Sequence, residues 1–337
     1  MLQAKTGAAP PTLPAFGEKV EPQRFGFLLI PNFSLIPFAA ATEALRMANW
    51  LSGLNLYEWH FLTENGLSVP AANGLVVAPH AKYDEALPLK NIIVFAGGRV
   101  PPAIRDDRVL SWMRRQARAG VRIGAAGLGS FILARAGLLD GYRCTVHWKL
   151  LPKFRDEFPH LNATDELYEI DRDRHTSSGG TGTLDVMLAL IAGDHGETLA
   201  SHVAEEFMHD RIRPSSHSQR MPLRFRLNIT NRNVLNAVRA MEESIGNPLS
   251  CASIAESLGV SVRQLEKLFR AHLATTPKEY QRRMRLKFAR RLLMQTTLSV
   301  LEVGLATGFS CQSHFSKAYR SEFGVQPRHD RGKDSLL

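Results

Sequence analysis

The sequence predicts two domains of different class: a three-layer α/β sandwich, then an all-α domain built from two helix-turn-helix units in tandem. Three observations carry this reading. Between residues 24 and 199 short apolar runs alternate with stretches of helical spacing, the pattern of parallel strands joined by crossover helices. Residues 211–228 (RIRPSSHSQRMPLRFRLN) are rich in Pro, Ser and Arg, which places a linker there. After the linker one pattern occurs twice: a short helix, a Gly-containing turn and a capped second helix.

In chain order, residues 1–22 lack the apolar core of a signal peptide and read as a disordered tail. Residues 25–30 (FGFLLI), 91–95 (NIIVF) and 121–126 (VRIGAA) are expected buried strands, each closed by Pro or Gly. Helices are expected at residues 37–51 and 106–119, at 181–192 after the Gly179-Gly180 turn, and at 196–208. The first domain is thus expected at 23–210 and the second at 229–331.

Charge divides the same way. Residues 211–337 hold 22 Lys/Arg against 9 Asp/Glu, a net +13, which leaves residues 1–210 at −3 of the total +10. A basic end on a near-neutral body points to a polyanionic partner for the second domain. The composition, 44% hydrophobic and 22% charged, is that of a globular protein. No apolar run approaches the ~18 residues that span a bilayer, so no membrane partner is expected. Cys144, Cys251 and Cys311 match no zinc or disulfide spacing, so neither metal nor cofactor is expected, and reduced thiols in a cytoplasm are.

The second domain has a readable grammar. A helix over residues 234–245 stops at Gly246-Asn247-Pro248. Ser250 can cap the next helix, Gly259 supplies the turn, and Ser261 caps VRQLEKLFRAHL, with Leu265, Leu268 and Phe269 inward. Arg263, Gln264, Glu266, Lys267 and Arg270 then face outward. A 19-residue helix follows at Pro277–Gln295, with Pro277 in its first turn. The second copy is a helix at 298–306, a turn at Thr307-Gly308-Phe309, and a helix capped by Ser310. That helix turns Phe315 and Tyr319 inward and Gln312, Ser313, Lys317 and Arg320 outward. The spacer is about 28 Å long at 1.5 Å per residue, close to the ~34 Å that separates successive major-groove segments on one DNA face.

From Ala252 to Pro327 the chain resembles the AraC/XylS regulators, most clearly in SLGVSVRQLEKLFRAHL and SVLEVGLATGFSCQSHFSKAYRSEFGVQP. The resemblance implies binding to double-stranded promoter DNA, with Arg263, Glu266 and Lys267 at base-reading positions of the first unit. Gln312, Ser313 and Lys317 stand there in the second. Arg and Lys suit guanine, Gln suits adenine and Glu suits cytosine, while Arg320 and the spacer arginines are expected nearer the phosphates; Arg270 is expected on the same DNA-binding face. One departure is Asp330-Arg331, where the family usually ends in Tyr-Arg. A non-specific DNA-coating protein would share the charge but leave no footprint.

The first domain raises the alternative of an enzyme. VRIGAA runs into Gly127-Leu128-Gly129 and a helix, with His147-Trp148 beyond. A strand-to-helix turn of this kind can present a nucleophile. Together with LLIPNFSLIPFAAATEALR, the segment resembles the PfpI-like branch of the class I glutamine amidotransferase-like fold, which is flavodoxin-like. There the turn carries a catalytic Cys. By that resemblance His147 matches its histidine partner and Glu43 its acid, but the nucleophile position is Gly127. Ser130 reads as a capping or packing residue and Cys144 as a buried filler. Covalent hydrolase or amidotransferase chemistry is therefore disfavoured.

AraC regulators with such an N-terminal domain form a subfamily. The members nearest this pattern look like regulators, usually activators, of amino-acid and quaternary-amine catabolism (arginine, carnitine, glycine betaine). The resemblance implies a small amine or amino-acid effector, a homodimer and contact with RNA polymerase. The expected effector pocket gathers Phe33, Ser34, Glu43, Gly98, Gly127, Leu128, His147, Trp148 and Gly180. In it Phe33 and Trp148 would face an ammonium group and Glu43 would balance its charge.

Overall fold

In the computed structural model, which describes residues 20–97 and 107–331, the chain forms two units that meet between Gln219 and Arg220. The first is built in order from β1 (Gln23–Leu29), α1 (Leu35–Ser52), β2 (Tyr57–Thr63), the short strands β3 (Val69–Pro70), β4 (Val76–Val77) and β5 (Ala81–Lys82), and β6 (Asn91–Ala96). It continues through α2 (Asp107–Arg118), β7 (Arg122–Gly127), α3 (Gly129–Arg135), β8 (Arg143–Thr145), α4 (Leu151–Glu157), β9 (Asn162–Thr164), β10 (Tyr168–Asp171), β11 (Arg174–Ser177), α5 (Gly182–His195) and α6 (Glu197–Glu206). Seven strands make one sheet in the order β10-β11-β7-β6-β1-β2-β5. All its pairings are parallel except β10 with β11 at the edge.

Alternation along the central strands sends side chains to two cores. Leu28, Ile92, Val94, Ile123 and Ala125 face α2, α3 and α4. Phe25, Phe27, Leu29, Ile93 and Phe95 face α1, α5 and α6. Helices on both faces are what make FGFLLI and NIIVF continuous apolar runs. The three expected strands are present, and the three-layer reading holds. Four further sheet strands were not expected: β2 (YEWHFLT) mixes aromatic with charged residues, β5 is two residues long, and β10 and β11 (YEID, RHTS) carry much polar character. In β11, Arg174, His175, Thr176 and Ser177 are all buried. Arg174 Nε donates to Leu138 O at 2.8 Å, and Thr176 Oγ1 accepts from Thr145 N at 2.9 Å. Hydropathy cannot register burial that rests on specific partners. The expected tail lies mostly outside the described residues; within them, Val20 packs on the second core.

The second unit contains α7 (Leu223–Leu227), α8 (Arg232–Glu243), α9 (Cys251–Ser257), α10 (Val262–Leu273), α11 (Pro277–Gln295), α12 (Val300–Ala306), α13 (Gln312–Phe323) and α14 (Pro327–Asp330). It has two cores. Val234, Val238, Met241, Ile254, Leu265 and Phe269 make one, and Leu286, Leu293, Val303, Phe309, Phe315 and Tyr319 the other. Helix α11 serves both: Tyr280 and Met284 pack on the first, Leu286, Ala289 and Leu293 in the second. A single rigid helix therefore fixes the spacing of the two helix-turn-helix units.

Ser250 and Ser261 cap α9 and α10 as expected, each accepting from the backbone N–H three residues on. Two expectations need correction. Helix α12 starts at Val300 rather than 298, because Ser299 is its N-cap and forms a capping box with Glu302. Ser310 does not cap α13: the extended residue before Gln312 is Cys311, whose side chain makes no capping bond.

The segment expected as a linker contains the boundary, but much of it is held. Arg213 and Gln219 bond into the first unit. Beyond the boundary, Leu223 and Ile229 join the first core of the second unit, and Arg226 pairs with Glu242 at 2.9 Å.

Candidate nucleic-acid interface and strand-end crevice

Helices α10 and α13 start fifty residues apart, at Val262 and Gln312, and they keep one register. Leu265 and Phe269 are buried in the first, Phe315 and Tyr319 in the second. The opposite faces carry Arg263, Lys267 and Arg270 against Ser313, Lys317 and Arg320, at the i, i+4, i+7 spacing of a helical stripe. All six are exposed, as are Glu266 and Gln312. Among the described residues no ion pair is formed by the charged members of this set, so these groups remain available to a polyanion. The helix N-terminal halves also expose Gln264 and His314, which hold equivalent places in the two copies and were not singled out as site residues. The duplicated register was the signal for them.

The spacer arginines are a correction. Arg285 is half-buried; its Nε donates to Thr307 O at 2.6 Å and its guanidinium lies 4.3 Å from the Phe309 ring centre. Arg282 and Arg283 pair with Glu279 and Glu322, and Arg290 with Asp330 at 3.0 Å. They hold the unit together rather than lie free for phosphates. Asp330, the departure from Tyr-Arg, is buried and also accepts from Tyr319 Oη at 2.8 Å. It fastens α14 to α11 and α13.

In the first unit, the turn after β7 keeps the backbone of a nucleophile elbow. Gly127 has φ +61°, a left-handed conformation, and a Cβ there would lie 3.4 Å from Ala96 O. Gly179 approaches it closely: its own Cβ would lie 3.3 Å from Gly127 Cα. At the end of β6 a Cβ on Gly97 would meet Ser34 N at 2.7 Å. Ser34, Gly97, Gly127 and the exposed Gly180 thus gather at the carboxyl ends of β1, β6, β7 and β11, where open parallel sheets bind ligands. Leu128 is buried behind the turn. Gly98 lies outside the described residues.

His147 and Trp148 follow β8. Ser130 Oγ, buried, donates to Thr145 O at 2.8 Å and ties that loop to the first turn of α3. Burial, with a smaller contribution from Lys149, lowers the His147 pKa, and Nδ1 accepts from Lys149 N at 3.3 Å. The ring is therefore neutral at pH 7 with its proton on Nε2, a donor suited to an anion.

No nucleophile is present at the turn. Ser130 is spent on packing, as expected, and Cys144 is fully buried with its thiol pushed up to about 12 by burial. Of the residues expected to meet an ammonium group, Phe33 is not accessible, and the other two have neighbours of their own. Phe33 is fully buried, packed edge-on against Phe38 at 5.3 Å. Glu43 pairs with Arg46 at 2.7 Å. The Trp148 ring has Lys149 Nζ 5.7 Å from its centre.

Two family models match the chain: "DJ-1/PfpI family" over residues 25–193 and "Helix-turn-helix domain" over residues 254–333. The HTH-type transcriptional regulator GbdR of Pseudomonas aeruginosa is 43% identical over 310 residues, covering 92% of this chain and 84% of that protein. The chain belongs to the AraC-type transcriptional regulators. The regulator is also 43% identical to the HTH-type transcriptional regulator CdhR of Pseudomonas aeruginosa over 312 residues, 92% of this chain and 91% of that one. The crystal structure of an AraC family transcriptional regulator from Pseudomonas putida superposes with a TM-score of 0.52 at 27% identity, covering 55% of the regulator and 100% of that chain. Among the described residues no helix is long and apolar enough to cross a membrane.

Arg263→Ala in the regulator should relax preference at one base step by about 1–3 kcal/mol. Binding to a panel of single-base variants of its site checks this. A uniform loss across the panel would instead make Arg263 a phosphate contact.

Proposed function

We propose that the regulator is a homodimer that switches promoter occupancy, and contact with RNA polymerase, in response to a small amino acid or amine-derived carboxylate. By its resemblance to regulators of amine and amino-acid catabolism, it would activate genes of that class. The observation that carries the effector half is Gly127: an elbow that keeps its left-handed backbone but has no nucleophile, in a crevice lined by glycine backbone beside a neutral His147. Backbone N–H groups at such a turn favour an anion. With Phe33 and Glu43 otherwise engaged, the carboxylate end of the effector is the better match. Arg263, Glu266, Lys267, Gln312, Ser313 and Lys317 would read bases, and Arg270 and Arg320 phosphates.

A thermal-shift screen of the full chain against amino acids, amines and betaines tests the effector half. At one hundred times its dissociation constant a ligand adds about 2.7 kcal/mol, which raises Tm by about 5–10 °C for a domain of this size. His147→Ala should reduce that shift. If no compound moves Tm, the proposed effector class is wrong. The enzyme reading would return only if residues of this crevice supported turnover that His147→Ala abolished.

A further inference from the structure

The seven residues before the unit boundary, 213–219, form a strap with two anchors, one on α5 just after the Gly179-Gly180 turn and one at the loop that carries His147 and Trp148. At one anchor Arg213 grips α5 in its first turn. Its backbone N–H donates to Asp185 Oδ1 at 2.8 Å, its Nε to Oδ2 at 3.0 Å, and one terminal nitrogen to Oδ2 at 2.5 Å and Thr181 Oγ1 at 2.9 Å. Asp185 is fully buried, and Thr181 directly follows Gly180. At the other anchor, Gln219 Oε1 accepts from Trp148 N at 2.7 Å, next to His147. Its Nε2 lies 2.8 Å from Glu166 O, 3.1 Å from Val146 O and 3.2 Å from Thr145 Oγ1. Between the anchors Ser215 O accepts from Leu167 N at 2.8 Å, and Ser218 bridges to Glu166.

An amide nitrogen has two hydrogens, so Gln219 cannot serve all three acceptors at once. Thr145 Oγ1 also donates to Glu166 O at 2.8 Å, so Gln219, the loop before Trp148 and Glu166 form one hydrogen-bond network. A movement of the 146–148 loop would change which of these acceptors Gln219 can reach. The next residue, Arg220, belongs to the second unit, where it lies 3.6 Å from Glu242.

We propose that residues 213–219 are the transmission element of the regulator. Arg213 and Gln219 register the positions of the Gly180-Thr181 turn and the His147-Trp148 turn, and pass the change along the chain to the DNA-binding unit. Gln219 is a positioning residue here, acting through the backbone it holds. The input end rests on the crevice reading above; the output end does not need an effector and can be tested without one. Coupling between two sites is reciprocal, so DNA binding must change the strap.

The test is amide hydrogen exchange on the full-length protein, with and without a duplex selected by that protein from a random pool. DNA should alter exchange at the Trp148 amide by about 3-fold or more in the wild type. In Gln219→Ala, Trp148 should exchange about 10-fold faster without DNA and no longer respond to it. Gln219→Glu keeps the acceptor for Trp148 N–H but loses both donors. It should retain protection at Trp148 and still lose the DNA response, an outcome that loss of structure does not produce. Equal exchange at Trp148 with and without DNA in the wild type would overturn the proposal. So would a wild-type DNA response in Gln219→Glu.

Discussion

Gly124→Ala is expected to destabilise the first unit by about 3 kcal/mol at pH 7, the size of a severe core overpacking. Gly124 pairs with His175 across the parallel β7–β11 ladder. A Cβ on Gly124 would lie 2.0 Å from His175 Nε2 and 2.2 Å from its Cδ2. β7 is held between β6 and β11 and cannot retreat, so the imidazole must leave. Acid should expose the same side chain in the wild type. Burial, with Arg122 and Arg174 nearby, pushes the His175 pKa down to about 3 from 6.5. The unfolded chain therefore binds more protons than the folded one between those values, and stability falls as pH drops below 6.5. At 1.36 kcal/mol per unit, the loss from pH 7 to pH 5 is about 2 kcal/mol. In Gly124→Ala the displaced ring titrates normally, so this part of the acid loss should shrink. Urea unfolding of both proteins at pH 7 and pH 5 measures each quantity. A variant with wild-type midpoints at both pH values would show that His175 does not occupy this site.

That histidine also marks where sequence reading stopped. The strands that build the crevice from apolar residues, β1, β6 and β7, are legible because burial on both faces makes them continuous apolar runs. β11 contributes RHTS, which has the composition of a loop, yet it lies inside the sheet, with Arg174, Thr176 and Ser177 hydrogen-bonded to neighbours and His175 packed against Gly124. The elbow was legible at Gly127 because a turn motif fixes backbone as well as chemistry. Side-chain roles around it were not: Phe33 and Glu43 stand at suggestive positions, but whether a ring is buried or a carboxylate paired depends on Phe38 and Arg46, and sequence spacing does not fix those contacts. The recognition helices fared better, since their exposed stripes follow from helical period alone. Residues 211–228 contain the unit boundary, as expected of a linker, but composition could not show how much of the segment is held. A polar stretch buries little, but Arg213 and Gln219 fasten it by hydrogen bonds rather than by area.

The largest effect on DNA binding is expected from Gly308→Ala, and Gly259→Ala is its control. Both glycines sit in the turn of a helix-turn-helix unit with left-handed backbone, φ +76° and +66°. An alanine in that conformation costs about 1 kcal/mol, and at Gly259 nothing else is met, since no atom lies within 4 Å of the added Cβ. At Gly308 the Cβ would lie 2.5 Å from Pro248 Cδ and 3.1 Å from Ile245 O. A proline ring and a backbone carbonyl give way only if the turn moves. That turn carries Thr307, whose carbonyl holds Arg285 of the spacer helix, and Phe309, which is buried in the second core. Moving it releases α13 from α11, at about 3 kcal/mol or more. The first core, with α8, α10 and the start of α11, does not contain these residues. Gly308→Ala should therefore keep one recognition helix and lose the other. Its footprint should shrink to one half-site, and its affinity fall about 100- to 1000-fold, the loss of two or three base contacts at 1–3 kcal/mol each. Gly259→Ala should keep the full footprint and lose less than about tenfold. A full-length footprint in Gly308→Ala would mean that the two units do not read DNA as separate halves on a common spacer.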